Sequence, residues 1–261
     1  MSINGGIMAG HPGVGGQLLR GSGSTASQFG GIDGRLSTLG ARARLFTGLN
    51  DESLVCPWYT DMGISNQYVH VAIGGGAPAP NVGGTGILRL NSTSVVGGGG
   101  QITLPTFASN FGVESMALKR WYKMAIVRNV SAALPNAFSR YYVVFSNGAM
   151  NGSVAVGFNG TVQTARYAFS CPNADASTAA PALNVLSGVG PQLGSWVIFE
   201  AGFDGWNVYG AVNYESPIIV TAPNNVPNSA STPPFFESRP AAGATQADLI
   251  DVDAFGLWAE L

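Results

Sequence analysis

The stretch SWVIFEAGFDGWNVYGAV, Ser195–Val212, decides the fold. Two runs rich in aromatic and β-branched residues flank Asp204-Gly205, a pair that tolerates the positive φ of tight hairpin turns. In the first run Val197, Phe199, Ala201 and Phe203 share one face, and Trp196, Ile198 and Glu200 share the other, because successive side chains of a strand alternate. Both faces are largely apolar. That pattern fits a strand central to a two-layer sandwich, or one covered by a partner.

The same alphabet continues on either side. Strands are expected at Gln67–Ile73, Ile87–Leu90, Ser94–Val96, Ile102–Leu104, Trp121–Val130, Tyr141–Phe145, Ser153–Phe158, Thr161–Phe169, Pro217–Thr221 and Asp251–Ala259. Asn147-Gly148 and Asn159-Gly160 lie between β-rich runs as hairpin signals. Cys171–Gly190 and the proline-rich Ala222–Gly243 read as loops. Only Phe107–Lys119 and Thr245–Ile250 could hold a helical turn or two. The fold class is therefore all-β, an antiparallel β-sandwich or jelly roll.

The N-terminal part is different. Of the 37 glycines, 24 fall within residues 1–100 and 13 within the first fifty. No period of 2.0 or 3.6 residues persists there. Residues 1–50 are expected to form an extended arm, and residues 51–261 the folded body. The arm nevertheless carries Leu18, Leu19, Phe29, Ile32, Leu36, Leu39, Leu45 and Phe46, more apolar bulk than a flexible linker holds. These side chains are the candidate assembly contacts, docking on a neighbouring subunit or folding back on their own body.

Composition narrows the partners. Charged residues make up 10% of the chain and the formal net charge is -2, so neither nucleic acid nor an anionic membrane would be captured electrostatically. No apolar run reaches the length of a membrane-spanning helix, and the sequence opens without the basic and apolar regions of a signal peptide. A surface poor in charge suits a protein covered by other protein. Ten arginines against two lysines, Lys119 and Lys123, fit interfaces too, although base composition produces the same skew. Cys56 and Cys171 read as free thiols, and the sequons at Asn91, Asn129, Asn151 and Asn159 as chance products of turns.

Catalytic signatures are sparse. His11 and His70 are the two histidines, without companions at metal-ligand spacing, and no nucleophile elbow is present. Gly21–Ala26 imitates a dinucleotide fingerprint but opens no βαβ unit. Carboxylates are the sharper question. Asp251 and Asp253 are two residues apart and so are expected to share a strand face, with Asp248 nearby; Glu200 and Asp204 form a second candidate pair. A retaining glycosidase needs two carboxyls about 5–5.5 Å apart. Structural roles, or one calcium ion, account for these residues more simply than catalysis. No catalytic, cofactor or metal residue is assigned. Trp206 and Tyr209, beside the Asp204-Gly205 turn, are the expected exposed aromatic pair for stacking on a glycan.

A resemblance rests on two features, the tryptophan-led Trp196–Tyr209 hairpin with its Asp204-Gly205 turn, and the closing Val252-Asp253-Ala254-Phe255-Gly256-Leu257-Trp258. Together they resemble the late part of concanavalin A-like (laminin-G-like) jelly rolls, over Trp121–Leu261. The resemblance implies two stacked antiparallel sheets. Such domains occur in lectins, glycosidases, adhesion modules and bacteriophage tail and capsid accessory proteins. With its glycine-rich arm the chain is most similar to the phage virion proteins. The function this implies is a virion structural protein: a capsid cement or decoration protein, homotrimeric, attached through its arm to major capsid or tail proteins, and located in the virion. The alternative is a tail or fibre receptor-binding or carbohydrate-binding module. Neither is an enzyme.

Overall fold

The structure, a computed structural model, describes residues 41–48, 54–61, 69–73, 87–92, 98–104, 120–147, 153–161, 165–170, 185–221, 234–241, 244 and 246–260. Residues 41–47 form a helix, α1. Fourteen strands follow: β1 (Leu54–Asp61), β2 (Val69–Ile73), β3 (Leu88–Asn91), β4 (Gly99–Thr103), β5 (Trp121–Asn129), β6 (Arg140–Asn147), β7 (Ser153–Asn159), β8 (Ala168–Ser170), β9 (Val185–Leu186), β10 (Trp196–Phe203), β11 (Asn207–Val212), β12 (Ile218–Thr221), β13 (Phe235–Ser238) and β14 (Leu249–Glu260).

They build two seven-stranded sheets with antiparallel pairing throughout. Sheet A runs β1-β14-β5-β10-β11-β12, with β3 also on β14; sheet B runs β2-β4-β13-β6-β7-β8-β9. The chain is an all-β sandwich, as its alternating strands require. Between the sheets lies the main core. Sheet A contributes Trp121, Ala125 and Val127 of β5, Val197, Phe199, Ala201 and Phe203 of β10, and Phe255 and Leu257 of β14. Sheet B contributes Tyr141, Val143 and Phe145 of β6, Val154, Val156 and Phe158 of β7, and Phe236 of β13. Aromatic rings bridge the layers: Phe199 meets Tyr167 with centroids 5.0 Å apart, and Phe255 lies 6.2 Å from Phe145 and 6.1 Å from Phe236. In β11, Gly210 leaves the room that Phe169 of β8 fills; a Cβ there would stand 2.2 Å from the Phe169 ring.

Several expectations need correction. In the stretch Thr245–Ile250, expected to hold a helical turn, the described residues 246–250 are not helical, and Leu249 and Ile250 already belong to β14. The observed helix lies instead at residues 41–47, inside the stretch expected to be extended. The loop expected over Ala222–Gly243 contains β13, which sits in the middle of sheet B between β4 and β6. The loop expected over Cys171–Gly190 contains β9. Of the strand expected over Thr161–Phe169, Ala168 and Phe169 belong to β8, and at its start Asn159 Oδ1 accepts from the backbone N–H and the hydroxyl of Thr161 and turns the chain there. Ser94–Val96, Phe107–Lys119 and Cys171 lie outside the described residues. Asn129 and Asn159, the asparagines of two sequons, are buried.

Candidate functional site: the clamped face of sheet A and its hairpin tip

The outer face of sheet A is built by the residues that alternate with the core. Tyr122, Met124 and Ile126 of β5, Trp196 and Ile198 of β10, Ala211 of β11, and Ala254 and Trp258 of β14 form a second apolar cluster, and α1 covers it with Ala43 and Phe46. Seven residues are too few for a helix stable by itself, so packing must hold it. Phe46 is fully buried and lies 5.0 Å from the Tyr122 ring and 5.8 Å from the Tyr209 ring. It seats in a notch made by Gly202, where a Cβ would come within 2.7 Å of Phe46. Gly48 closes the helix in the left-handed conformation (φ 65°), and its N–H bonds the Arg44 carbonyl at 2.8 Å.

A buried ion pair locks the helix down. Arg42 Nε and Nη2 donate to the two carboxylate oxygens of Glu200 at 2.8 and 2.9 Å, a forked contact that fixes direction as well as distance. Glu200 also accepts from the Tyr122 hydroxyl at 2.9 Å and the Tyr214 N–H at 3.2 Å. Burial raises the Glu200 carboxyl above its ordinary value, against the opposing pull of Arg42 and the other donors. Burial and the neighbouring Glu200 push the Tyr122 phenol well up, so it stays a proton donor. Arg42 further donates to the Glu215 carbonyl at 3.0 Å and lies over the Phe46 and Tyr214 rings.

The hairpin joining β10 to β11 forms the second part of the site. Gly205 takes φ 97°, the first of the two linking positions and the one that a type II′ turn reserves for glycine. Asp204 Oδ1 accepts from the N–H groups of Trp206 and Asn207 at 2.8 and 2.6 Å, and Asp204 Oδ2 accepts from the Asn207 amide and the Tyr209 hydroxyl. Partial burial opposes the Asp204 charge, but these donors outweigh it and hold the carboxyl below its ordinary value. The tip so braced presents Trp206 at 64% exposure. Tyr209 does not stand beside it as an open stacking partner: its hydroxyl is held by Asp204 and its ring rests on Phe46.

The expected carboxylate pairs come apart. Glu200 lies beneath α1, whereas Asp204 serves the turn. In β14 the pairing register shifts between Val252 and Ala254, a bulge centred on Asp253. Ile250 and Val252 point into the main core before it, and Phe255 and Leu257 after it. The alternation therefore changes phase around Asp253, so a spacing of two residues does not by itself put Asp251 and Asp253 on one face. Asp251 lies on the outer side, fully buried, receiving Arg89 Nε at 2.7 Å and Arg128 Nη2 at 2.7 Å. Asp248 accepts from the Ser139 hydroxyl at 2.8 Å, and burial pushes its carboxyl up to about 6. Among the described residues no group of three or more histidine, cysteine or acidic side chains is placed to hold a metal.

Of the candidate assembly contacts, Phe46 is covered by its own body, which removes it from the set open to a neighbour, and Leu45 on α1 is 55% exposed. Leu18, Leu19, Phe29, Ile32 and Leu36 lie outside the described residues. Sequence reasoning missed Arg42 and Tyr122. The signal for both was Glu200, an acid at an otherwise apolar position of a two-faced strand, which needed a cation and a donor from somewhere.

No family model matches the chain, and no curated protein matches it in sequence. The likeness is to solved structures. The carbohydrate recognition domain of Emp47p aligns with 82% of this chain and 100% of its own at 12% identity and a TM-score of 0.50. Arcelin-5, a lectin-like defence protein from Phaseolus vulgaris, aligns with 80% of this chain and 99% of its own at 10% identity and a TM-score of 0.50. The fold is concanavalin A-like. The CBM2 module of the evolved Dit of Lactobacillus casei BL23 phage J-1 aligns with 80% of this chain and 97% of its own, at 11% identity and a TM-score of 0.49. At such identities the likeness concerns the fold alone.

Proposed function

We propose that the protein is a structural component of a bacteriophage virion, a cement or decoration protein that attaches through its N-terminal arm to major capsid or tail proteins. The observation that carries this reading is the clamp on α1. Forty residues precede Ala41, and they are rooted through the Arg42–Glu200 fork and the Phe46 notch to a rigid sheet rather than to a loose loop. A rooted arm transmits load from a neighbour to the body. The scarcity of charge over the whole chain supports a role among other proteins, and the commitment of Glu200, Asp204 and Asp251 to internal partners supports a non-catalytic one.

The clamp also improves the experiment. Deletion of residues 1–40 should leave α1 and the sandwich intact and abolish co-sedimentation with the particle. Retained co-sedimentation would sink the proposal. Removing residues 1–50 would strip the outer cluster as well and confuse loss of attachment with loss of fold.

A second reading has its own observation. Trp206 offers a large apolar ring at a braced hairpin tip, the kind of platform on which a sugar stacks. On that reading the protein is a carbohydrate-binding module of a tail or fibre. Glycan-array binding that disappears in Trp206→Ala would establish it, and a blank array would exclude it for the glycans displayed.

A further inference from the structure

The outer face of sheet B carries two polar rows that neither reading above uses. Tyr141, Val143, Val156, Phe158 and Phe236 face the main core, so the residues that alternate with them face away from it. Across β4, β13, β6 and β7 the first row reads Gln101, Glu237, Tyr142 and Gly157, each opposite the next. Glu237 accepts from the Tyr142 hydroxyl at 2.6 Å and from the Gln101 amide at 3.3 Å. Gly157 leaves the space that Tyr142 takes; a Cβ there would stand 2.4 Å from it. One step along the strands, Arg239 and Arg140 face each other. The Arg239 N–H donates to the Arg140 carbonyl at 2.9 Å, which continues the β13–β6 ladder by one pair.

Like charges directly opposite on neighbouring strands repel. Three other arginines are answered by acids: Arg42 is forked on Glu200, and Arg89 and Arg128 share Asp251. Among the described residues no acid lies within ion-pair distance of Arg140 or Arg239, and the Arg239 guanidinium makes no hydrogen bond. Arg140 makes a single long one, from Nη2 to the Thr161 hydroxyl at 3.5 Å, while its Nε is buried without a partner. Burial raises the Glu237 carboxyl, and the charges of Arg239 and Arg140 pull it down, but its oxygens already serve Tyr142 and Gln101. Both arginines are half-exposed, and so is Gln101. Two cations less one carboxylate leave a surplus of one positive charge.

A carboxylate supplies what this arrangement lacks, one negative charge and two oxygens for two forked donors. A phosphate brings up to about two charges, more than the surplus, and would sit beside Glu237. The adjoining row of amide, carboxylate and phenol suits hydroxyl groups. We propose that the Arg140–Arg239 pair binds the carboxylate of an acidic sugar, a uronic or sialic acid, with Gln101 beside it for a hydroxyl. This rests on the carbohydrate-binding reading for the class of ligand, and it places a second contact on the other sheet from Trp206.

Isothermal titration of the full chain tests it. A tetrasaccharide of glucuronic acid, or N-acetylneuraminic acid, should bind saturably, and the matching tetrasaccharide of glucose should not. Arg239→Gln should weaken the acidic sugar at least tenfold. That guanidinium bonds nothing in the fold, so the thermal melt should stay unchanged and certify the variant; Arg140→Gln repeats the test from the facing strand. Arg239→Lys keeps the charge, loses the fork and should fall between. Trp206→Ala should leave the affinity as it is. The proposal is overturned if neither acidic sugar binds, if the neutral tetrasaccharide binds as well, or if Arg239→Gln binds undiminished. Inorganic phosphate or a glutamate-rich peptide that displaces the sugar at equal concentration overturns it too. Binding lost only in Trp206→Ala keeps the tip reading and removes this one; binding lost only in the arginine variants does the reverse.

Discussion

The two faces of β10 are both sealed, by different means. On the inner face Val197, Phe199, Ala201 and Phe203 meet another sheet, apolar against apolar, and the seal follows from area alone. On the outer face Trp196 and Ile198 share their side with Glu200, and the cover is a helix of seven residues held by one buried ion pair and one ring in a glycine notch. The first seal is distributed over many side chains and tolerates local change. The second is concentrated in Arg42, Phe46 and Gly202, so single substitutions should discriminate between the faces.

The largest effect is expected from Arg42→Ala. It leaves Glu200 buried without its cation, a loss of about 3–5 kcal/mol measurable by denaturant unfolding near neutral pH. Glu200 is already displaced upward and would move further, so it would keep its proton in the folded state over a wider range. The penalty should then shrink as the pH falls into the acid range. A negligible penalty would show that the fork is dispensable and that α1 is held by its rings; a penalty independent of pH would show that the loss comes from Arg42 packing rather than from the Glu200 charge.

Phe46→Ala comes next, at about 3 kcal/mol, with α1 undocking before the sandwich melts. Hydrogen exchange should show early opening of residues 41–47 and protection of β5 and β10. Loss of protection in β10 as well would make the two faces one cooperative unit.

The inner face contains its own exception. Lys123 is fully buried, donates to the Phe145 carbonyl and lies 4.5 Å from the Trp121 ring centre; burial lowers its ammonium to about 7. The unfolded chain therefore binds one more proton than the folded one between about pH 7 and 10.5. Stability should rise with pH across that window, by up to about 1.4 kcal/mol per pH unit, and stay flat in this respect below it. Asp248 has the opposite sign: its raised carboxyl makes stability fall as pH climbs from about 4 to 6. Together they place a trough of stability between about pH 6 and 7. Lys123→Met should abolish the alkaline rise in a series of urea melts, and a rise that survives would assign it to another group.

Trp206→Ala should be the smallest, within about 0.5 kcal/mol, because the ring lies outside both seals. A larger loss in thermal unfolding would mean that the tip braces the outer cover through Tyr209.

Much of this arrangement was legible. Trp121–Asn129 and Trp196–Phe203 carry alternation on two apolar faces, and Gly205 marks their hairpin partner. β1 was missed because Pro57 sits in its middle; the pairing with β14 shifts between Val55 and Trp58 around it, which an edge strand can absorb. β13 was missed because four residues, Phe235–Ser238, stand among prolines and alternate only weakly. The outer cover was hidden by composition. A glycine-rich stretch suggested an arm, while the two residues that dock it, Arg42 and Phe46, act through contacts far along the chain, with Glu200, Gly202 and Tyr122. The bulge at Asp253 was beyond reach, since alternation cannot announce where it will change phase. The exposure of Trp206 follows from its place at the turn, whereas the contact of Tyr209 with Phe46 was hidden because Phe46 belongs to that distant helix.

One strand also governs when this protein can exist. β14 pairs along one side with β5 and along the other with β3 and then β1. It is made last among the fourteen. Until β14 has been synthesised, β1 and β3 have no sheet to join and the outer cluster lacks Ala254 and Trp258. The early strands must wait in an unfinished state, with apolar faces open to whatever is near. A premature stop anywhere in the last dozen residues should therefore yield not a shorter protein but an unclosed one.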